Sequence, residues 1–205
     1  MVRKLPIVAV FGAGTALADE RAGFARDVGR MVAALGAHLL TGAGFGVMAA
    51  AAEGFVSVAG RAGLSIGIVP RAPQGAFDEP NHDAGGQAYP NPFVEIAVHT
   101  PLPPRVGDWH RDPARNHVNV LTADAIVALP GGPGTHNELD MAAEYRGERD
   151  KPAAERRTIL VGPAAEFSAE HRRMYLHTET LADAERHLRR ILTARQSAPP
   201  LRSVS

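Results

Sequence analysis

Three observations predict an α/β fold built on a doubly wound parallel sheet. Short apolar runs alternate with helical repeats along the 205 residues, and that order gives a parallel sheet covered on both faces. The run Ala125 to Leu129 is apolar throughout, as a strand buried on both sides requires. Three glycine-rich turns, Gly12 to Thr15, Gly42 to Gly46 and Gly131 to Gly134, each leave a strand and lead to a helix. In such folds ligands bind outside the carboxyl ends of the strands, so these turns are expected to converge on one site. The length suits one domain, residues 1–196, with a frayed tail at 197–205.

Each element has its own signal. Ile7 to Phe11 is an apolar run that enters the first glycine turn. The stretch from Met1 to Glu20 also imitates a signal peptide, with Arg3 and Lys4 ahead of an apolar run and Ala16-Leu17-Ala18 before Asp19. The strand reading is preferred because a helical repeat follows directly, and it implies a cytoplasmic protein. Phe24, Val28, Met31, Val32 and Leu35 recur at helical spacing, and Gly36 stops the helix. His38 to Thr41 is the second strand, and a small-residue helix runs from about Val47 to Ala59. Leu64 to Val69 is the third, ended by Pro70.

Arg71 to Gln87 has no period and is rich in Pro, Gly, Asn and Asp, so it is a loop. Phe93 to His99 reads as a strand, and Thr100 to Pro113 is again irregular, with Trp109 and His110 inside it. Ala114, His117, Val118 and Leu121 mark one face of a helix. After the Ala125 strand and its helix, Thr158 to Val161 is expected to be the last strand. Leu181, Ala184, Leu188, Ile191 and Leu192 then form the apolar stripe of a terminal helix.

Composition excludes several classes of function. Twenty-two basic residues balance 22 acidic ones, and no basic run or aromatic-basic stripe suggests a nucleic-acid surface. With no cysteine, disulfides, thiolate chemistry and cysteine metal sites are excluded. No apolar run approaches a membrane span. His110, His117 and His136 have no metal-binding spacing and read as solvated or capping residues, so no metal is expected.

The stretch Leu129 to Tyr145, LPGGPGTHNELDMAAEY, carries the most chemistry. It is the end of a buried strand, a glycine turn and a helix start. Backbone N–H groups and the helix dipole at such a turn favour an anion, most often a phosphate. Gly131, Gly132 and Gly134 let the anion approach the backbone, and Thr135 adds a hydroxyl. Gly12, Gly14, Thr15, Gly42, Gly44, Gly46 and Met48 carry weaker versions of the same signal. Thr135 stands at an expected N-cap with Glu138 three residues on, so the pair also reads as a capping box that needs no ligand.

The pattern Pro-Gly-Gly-x-Gly-Thr-x-x-Glu, Pro130 to Glu138, resembles the signature of the LOG ("lonely guy") proteins. These are cytokinin-activating phosphoribohydrolases often mislabelled lysine decarboxylases. TGAGFGVMAAAAEG and FGAGT resemble the family's other two glycine segments, and Arg115 stands fifteen residues before Pro130, at the offset of the family's arginine. The resemblance spans about Ile7 to Val161. It implies a Rossmann-like fold, a homodimer, and cleavage of a nucleoside 5′-monophosphate to free base and ribose 5-phosphate without a cofactor. Arg115 and Glu138 would be the catalytic pair, and the glycine turns would hold the nucleotide.

The sequence also departs from that pattern. Arg115-Asn116 replaces Arg-Lys, the preceding loop carries Trp109, His110 and Arg111, and Ala153 to Arg157 is an insertion. These features resemble a bacterial nucleotide-binding branch that includes molybdenum-cofactor carriers. A second reading is therefore a non-catalytic carrier of a nucleotide or phosphorylated pterin. Arg115 itself reads either as a surface ion-pairing residue or as a fork for phosphate or leaving base. The decarboxylase label fails on lysine: a Schiff base needs one, and Lys4 and Lys151 are the only two, neither near a glycine turn.

Overall fold

In the computed structural model, residues 4–71, 81–82, 86–103, 108, 111 and 113–196 are described. Seven parallel strands form one sheet in the order β4-β3-β2-β1-β5-β6-β7. They are β1 Ile7–Phe11, β2 His38–Thr41, β3 Ser65–Val69, β4 Ile96–His99, β5 Ala125–Ala128, β6 Thr158–Val161 and β7 Leu176–Thr178. The helices are α1 Asp19–Ala34, α2 Val47–Val56, α3 Arg115–Thr122, α4 Pro133–Tyr145, α5 Ala169–Met174 and α6 Leu181–Gln196. This is the expected Rossmann-like, doubly wound α/β domain. No helix among the described residues is long and apolar enough to cross a membrane.

Strand alternation builds two cores. Val8 and Val10 of β1 face a cluster with α1, α2 and α6, while Ala9 and Phe11 face a cluster with α3, α4 and α5. β5 divides in the same way, with Val127 on the first face and Ile126 and Ala128 on the second. Strand order reverses between β1 and β5, which pair in register from Val8↔Ala125 to Phe11↔Ala128. The crevice of the fold therefore opens where the first and third glycine turns leave the sheet.

Several expectations shift. Ile7–Phe11 is a central strand, as the strand reading of the N-terminal segment required. The fourth strand begins at Ile96 rather than Phe93, because Phe93 to Glu95 is drawn into a turn in which Asn91 Oδ1 accepts the Phe93 N–H at 3.1 Å. The second helix stops at Val56. Thr158–Val161 is not the last strand: the short β7 pairs with it from Ile159↔Leu176 to Val161↔Thr178. Much of the Arg71–Gln87 and Thr100–Pro113 loops, Trp109 and His110 included, and the 197–205 tail lie outside the described residues.

The largest correction concerns α3. Of its expected apolar face, Ala114 is fully buried and Val118 packs half-buried against the second core, but His117 is only half-buried and Leu121 turns outward. The helix buries Arg115, Asn116, Asn119 and Val120, and leaves Leu121 58% exposed.

Candidate functional site

The three glycine turns meet at the carboxyl edge of β1, β2 and β5. The Ala13 N–H donates to Pro130 O at 3.2 Å, and the Val47 N–H donates to Ala13 O at 2.8 Å. Gly12 lies against Val47, and Gly46, at φ +62°, against the backbone of Ala13 and Thr15. A side chain on Gly131 would strike Thr135 Oγ1 and stand 2.8 Å from Ala13 N, so that turn must be glycine to close. Gly132 and Gly134 have open space where a Cβ would stand, so the third turn keeps a bare backbone surface.

α4 begins one residue after Gly132, with Pro133 at its first position. Proline fits there because its fixed φ suits the helix and its missing N–H is not needed. Thr135 is therefore not the N-cap but two residues inside the helix, and no side-chain cap bond is made. The expected capping box is absent. Glu138 is released from that role, and its Oε1 accepts a hydrogen bond from Asn119 Nδ2 at 3.1 Å.

Arg115 is no surface residue. It is 8% exposed, its Nη1 donates to Gly42 O and stands 3.5 Å from Ile68 O, and its Nε has no partner among the described residues. Gly42 makes room for this group: a Cβ there would collide with Arg115 Nη1 and lie 2.8 Å from Cζ, so the guanidinium would have to move. The β2 turn and the β3 end thus clamp one edge of the guanidinium.

Burial pushes the Glu138 carboxyl up to about 7, while the Arg115 charge and the Asn119 hydrogen bond pull it down. At neutral pH it is therefore divided between acid and carboxylate. Asn119 is fully buried and Asn116 is 2% exposed, and Asn116 Nδ2 donates to Asn137 Oδ1 at 2.9 Å. Two asparagines of α3 thus tie two successive residues of α4. The sequence marks Asn116 only as a departure from Arg-Lys, and gives Asn119 no role. Asn119 lies four residues beyond Arg115, one helical turn, and that spacing was its only signal.

Among the described residues no group of three candidate ligands could hold a metal ion. His117 Nδ1 accepts the Ala114 N–H at 2.9 Å, a capping role. The ring of His136 lies 5.6 Å from that of His171, and His171 Nε2 is 3.0 Å from Asp140 Oδ1. A cavity of about 600 Å³ opens on the α1 side of these turns, between α1 and the turn after β6, with Val47 and Leu129 in its wall. It borders Pro130, yet its rim carries Glu20, Asp27, Glu166 and Glu179 against Arg21 alone. That charge repels a phosphate, and the cavity lies on the α1 face, away from Arg115 and Glu138.

The profile of the SLOG cluster4 family matches residues 5–149. An uncharacterised protein of Archaeoglobus fulgidus is 31% identical over 139 residues, 68% of this chain and 74% of its own length. Among solved structures, the molybdenum cofactor carrier protein of Chlamydomonas reinhardtii is similar with a TM-score of 0.64 at 25% identity, covering 93% of this chain and 99% of its own. The molybdenum cofactor binding protein of Rippkaea orientalis also gives a TM-score of 0.64, at 24% identity, covering 95% and 99%.

Proposed function

The chain belongs to the SLOG cluster4 family, and on that premise we propose that it is a phosphoribohydrolase that cleaves a nucleoside 5′-monophosphate to free base and ribose 5-phosphate. The observation that carries this reading is Glu138, a buried carboxyl beside Arg115 and Asn119, one helical turn into the helix that starts at the phosphate-binding turn. A buried carboxylate beside the cradle works against holding an anion. A glycosidic hydrolase gains from it, because the sugar becomes cationic as the C–N bond breaks.

In this reading the backbone of Gly131 to Thr135 holds the phosphate, with Gly12, Gly14, Thr15, Gly42, Gly44, Gly46 and Met48 shaping the walls. Glu138 stabilises the ribosyl cation and takes a proton from the attacking water. The water oxygen bonds to C1′ as the C1′–N bond breaks, and the departing base gains a proton. A carboxyl near 7 suits an acid–base group working at neutral pH. Arg115 anchors the phosphate or polarises the leaving base. The chemistry needs no cofactor.

We also infer a homodimer. Leu121 and Tyr145, 58% and 43% exposed, share the outer side of α3 and α4, where the His117 and Tyr145 rings lie 5.3 Å apart. Ile96 and Val98 are exposed on the sheet face that carries Ile66 and Ile68, which is also the α3–α4 face.

The test is incubation with a panel of nucleoside monophosphates and assay of ribose 5-phosphate. Release from at least one, lost in Glu138→Gln, supports the reading. The similarity to the Chlamydomonas carrier over 93% of this chain favours the second one, a carrier of a phosphorylated pterin. No release from any monophosphate, with tight pterin binding, would establish that alternative instead.

A further inference from the structure

Tyr89 stands between the Arg71–Gln87 loop and the strand expected from Phe93, and two buried asparagines hold its flanks. Asn81, 6% exposed, donates from Nδ2 to Pro70 O at 2.9 Å and Arg71 O at 3.2 Å, at the end of β3. Its own carbonyl accepts the Tyr89 N–H at 2.8 Å. Asn91, 1% exposed, donates its N–H to Ala43 O and its Nδ2 to Gly44 O, each at 2.8 Å. The second glycine turn is fixed from the other side too: Ala43, a buried non-glycine residue at φ +61°, donates its N–H to Thr41 Oγ1 at 3.2 Å.

The result is a defined wall. Tyr89 Cε1 and its hydroxyl lie 3.2 and 3.3 Å from the point where a Cβ on Gly44 would stand. Met48 Cε lies 2.8 Å from the same point and 3.5 Å from the equivalent point on Gly14. Met48 Sδ is 3.1 Å from the Gly42 point, beside the Arg115 guanidinium. One thioether therefore runs from the first turn past Arg115 to Tyr89, and both side chains are half-buried. An aromatic ring beside a polarizable thioether suits the π-face of a flat heterocycle, with no hydrogen-bond code to choose among such rings.

We propose that Tyr89, with Met48 beside it, is the platform on which the planar ring of the bound ligand stacks, so that the site selects phosphates bearing a purine-like bicycle over plain sugar phosphates. This rests on the phosphate cradle at Gly131 to Thr135 but not on turnover. The test is calorimetric titration of the full chain with AMP, GMP and ribose 5-phosphate, in a Glu138→Gln background so that no probe is consumed. Tyr89→Ala is expected to weaken AMP and GMP by about 5- to 100-fold and to leave ribose 5-phosphate within about twofold, and Tyr89→Phe to restore nucleotide binding. Unchanged nucleotide affinity in Tyr89→Ala overturns the platform, and so does a parallel loss of ribose 5-phosphate, the mark of a residue that only shapes the loop. If the nucleotides bind the Tyr89 protein no better than ribose 5-phosphate, the platform fails and the cradle stands. If none of the three binds, both fail.

Discussion

Glu138→Gln separates the electrostatics of this carboxyl from its chemistry, through stability measured at two pH values. The folded protein holds the Glu138 proton with a pKa of about 7, against an ordinary value of 4.5. A raised pKa means that the folded state binds the proton more tightly than the unfolded chain. Its contribution to stability is therefore full below about 4.5 and lost as pH rises through 7. Between pH 5 and pH 8 that loss is about 2–3 kcal/mol. Glutamine imitates the protonated carboxyl at every pH and carries no such dependence. The two proteins should be nearly equally stable at pH 5, with the variant gaining about 2–3 kcal/mol on the wild type by pH 8. All other groups titrate in both proteins and cancel in the difference. Urea unfolding of each at both pH values measures it. If the stability difference is the same at pH 5 and pH 8, Glu138 is not a group of raised pKa, and its burial beside Arg115 costs nothing. The same variant should lose about 10²- to 10³-fold in turnover, the usual effect of removing one aimed electrostatic contact.

Three further outcomes are expected. Gly42→Ala places a methyl group against the Arg115 guanidinium and should lower kcat/KM by about 10²-fold through misplacement, with the far-ultraviolet circular dichroism unchanged. Glu148→Ala strikes the fold, not the site. Glu148 is fully buried, accepts the Arg157 N–H with both oxygens at 3.2 and 2.9 Å, and stands 3.6 Å from Arg146 Nε, so its removal should cost about 3–5 kcal/mol in urea unfolding. Leu121→Glu puts a charge on the exposed outer side of α3 and should convert the proposed dimer to a monomer in light scattering. A monomeric wild type would refute that interface.

The sheet was legible because central strands announce themselves. β1 and β5 are apolar on both faces since each feeds both cores, and no other element could bury them. Legibility faded toward the edges. β7 has three residues and α5 six, too short for a period to appear. They are held by contacts that no local pattern encodes, such as the Tyr175 hydroxyl donating to Leu139 O and Ser168 Oγ accepting the His171 N–H at 3.0 Å. The start of β4 was misread because Val94 and Glu95 serve a turn, with Glu95 Oε2 accepting the Ser65 N–H at 2.9 Å.

The misreading of α3 has a different cause. Hydrophobic period assigns a helix face on the premise that apolar residues go inward. α3 instead turns Arg115, Asn116 and Asn119 inward and leaves Leu121 out. Burying an arginine and two amides is costly unless each finds a partner, and the partners here are a main-chain carbonyl of the second glycine turn and two side chains of α4. Those partners are incomplete: Arg115 Nε, Asn116 Oδ1 and Asn119 Oδ1 have no partner among the described residues. A fold selected only for stability would place Leu121 inward and keep the polar side in water. A helix that buries this polar side therefore argues for chemistry there and for a second surface over Leu121. The Glu138 titration tests the first of these and the Leu121 variant the second.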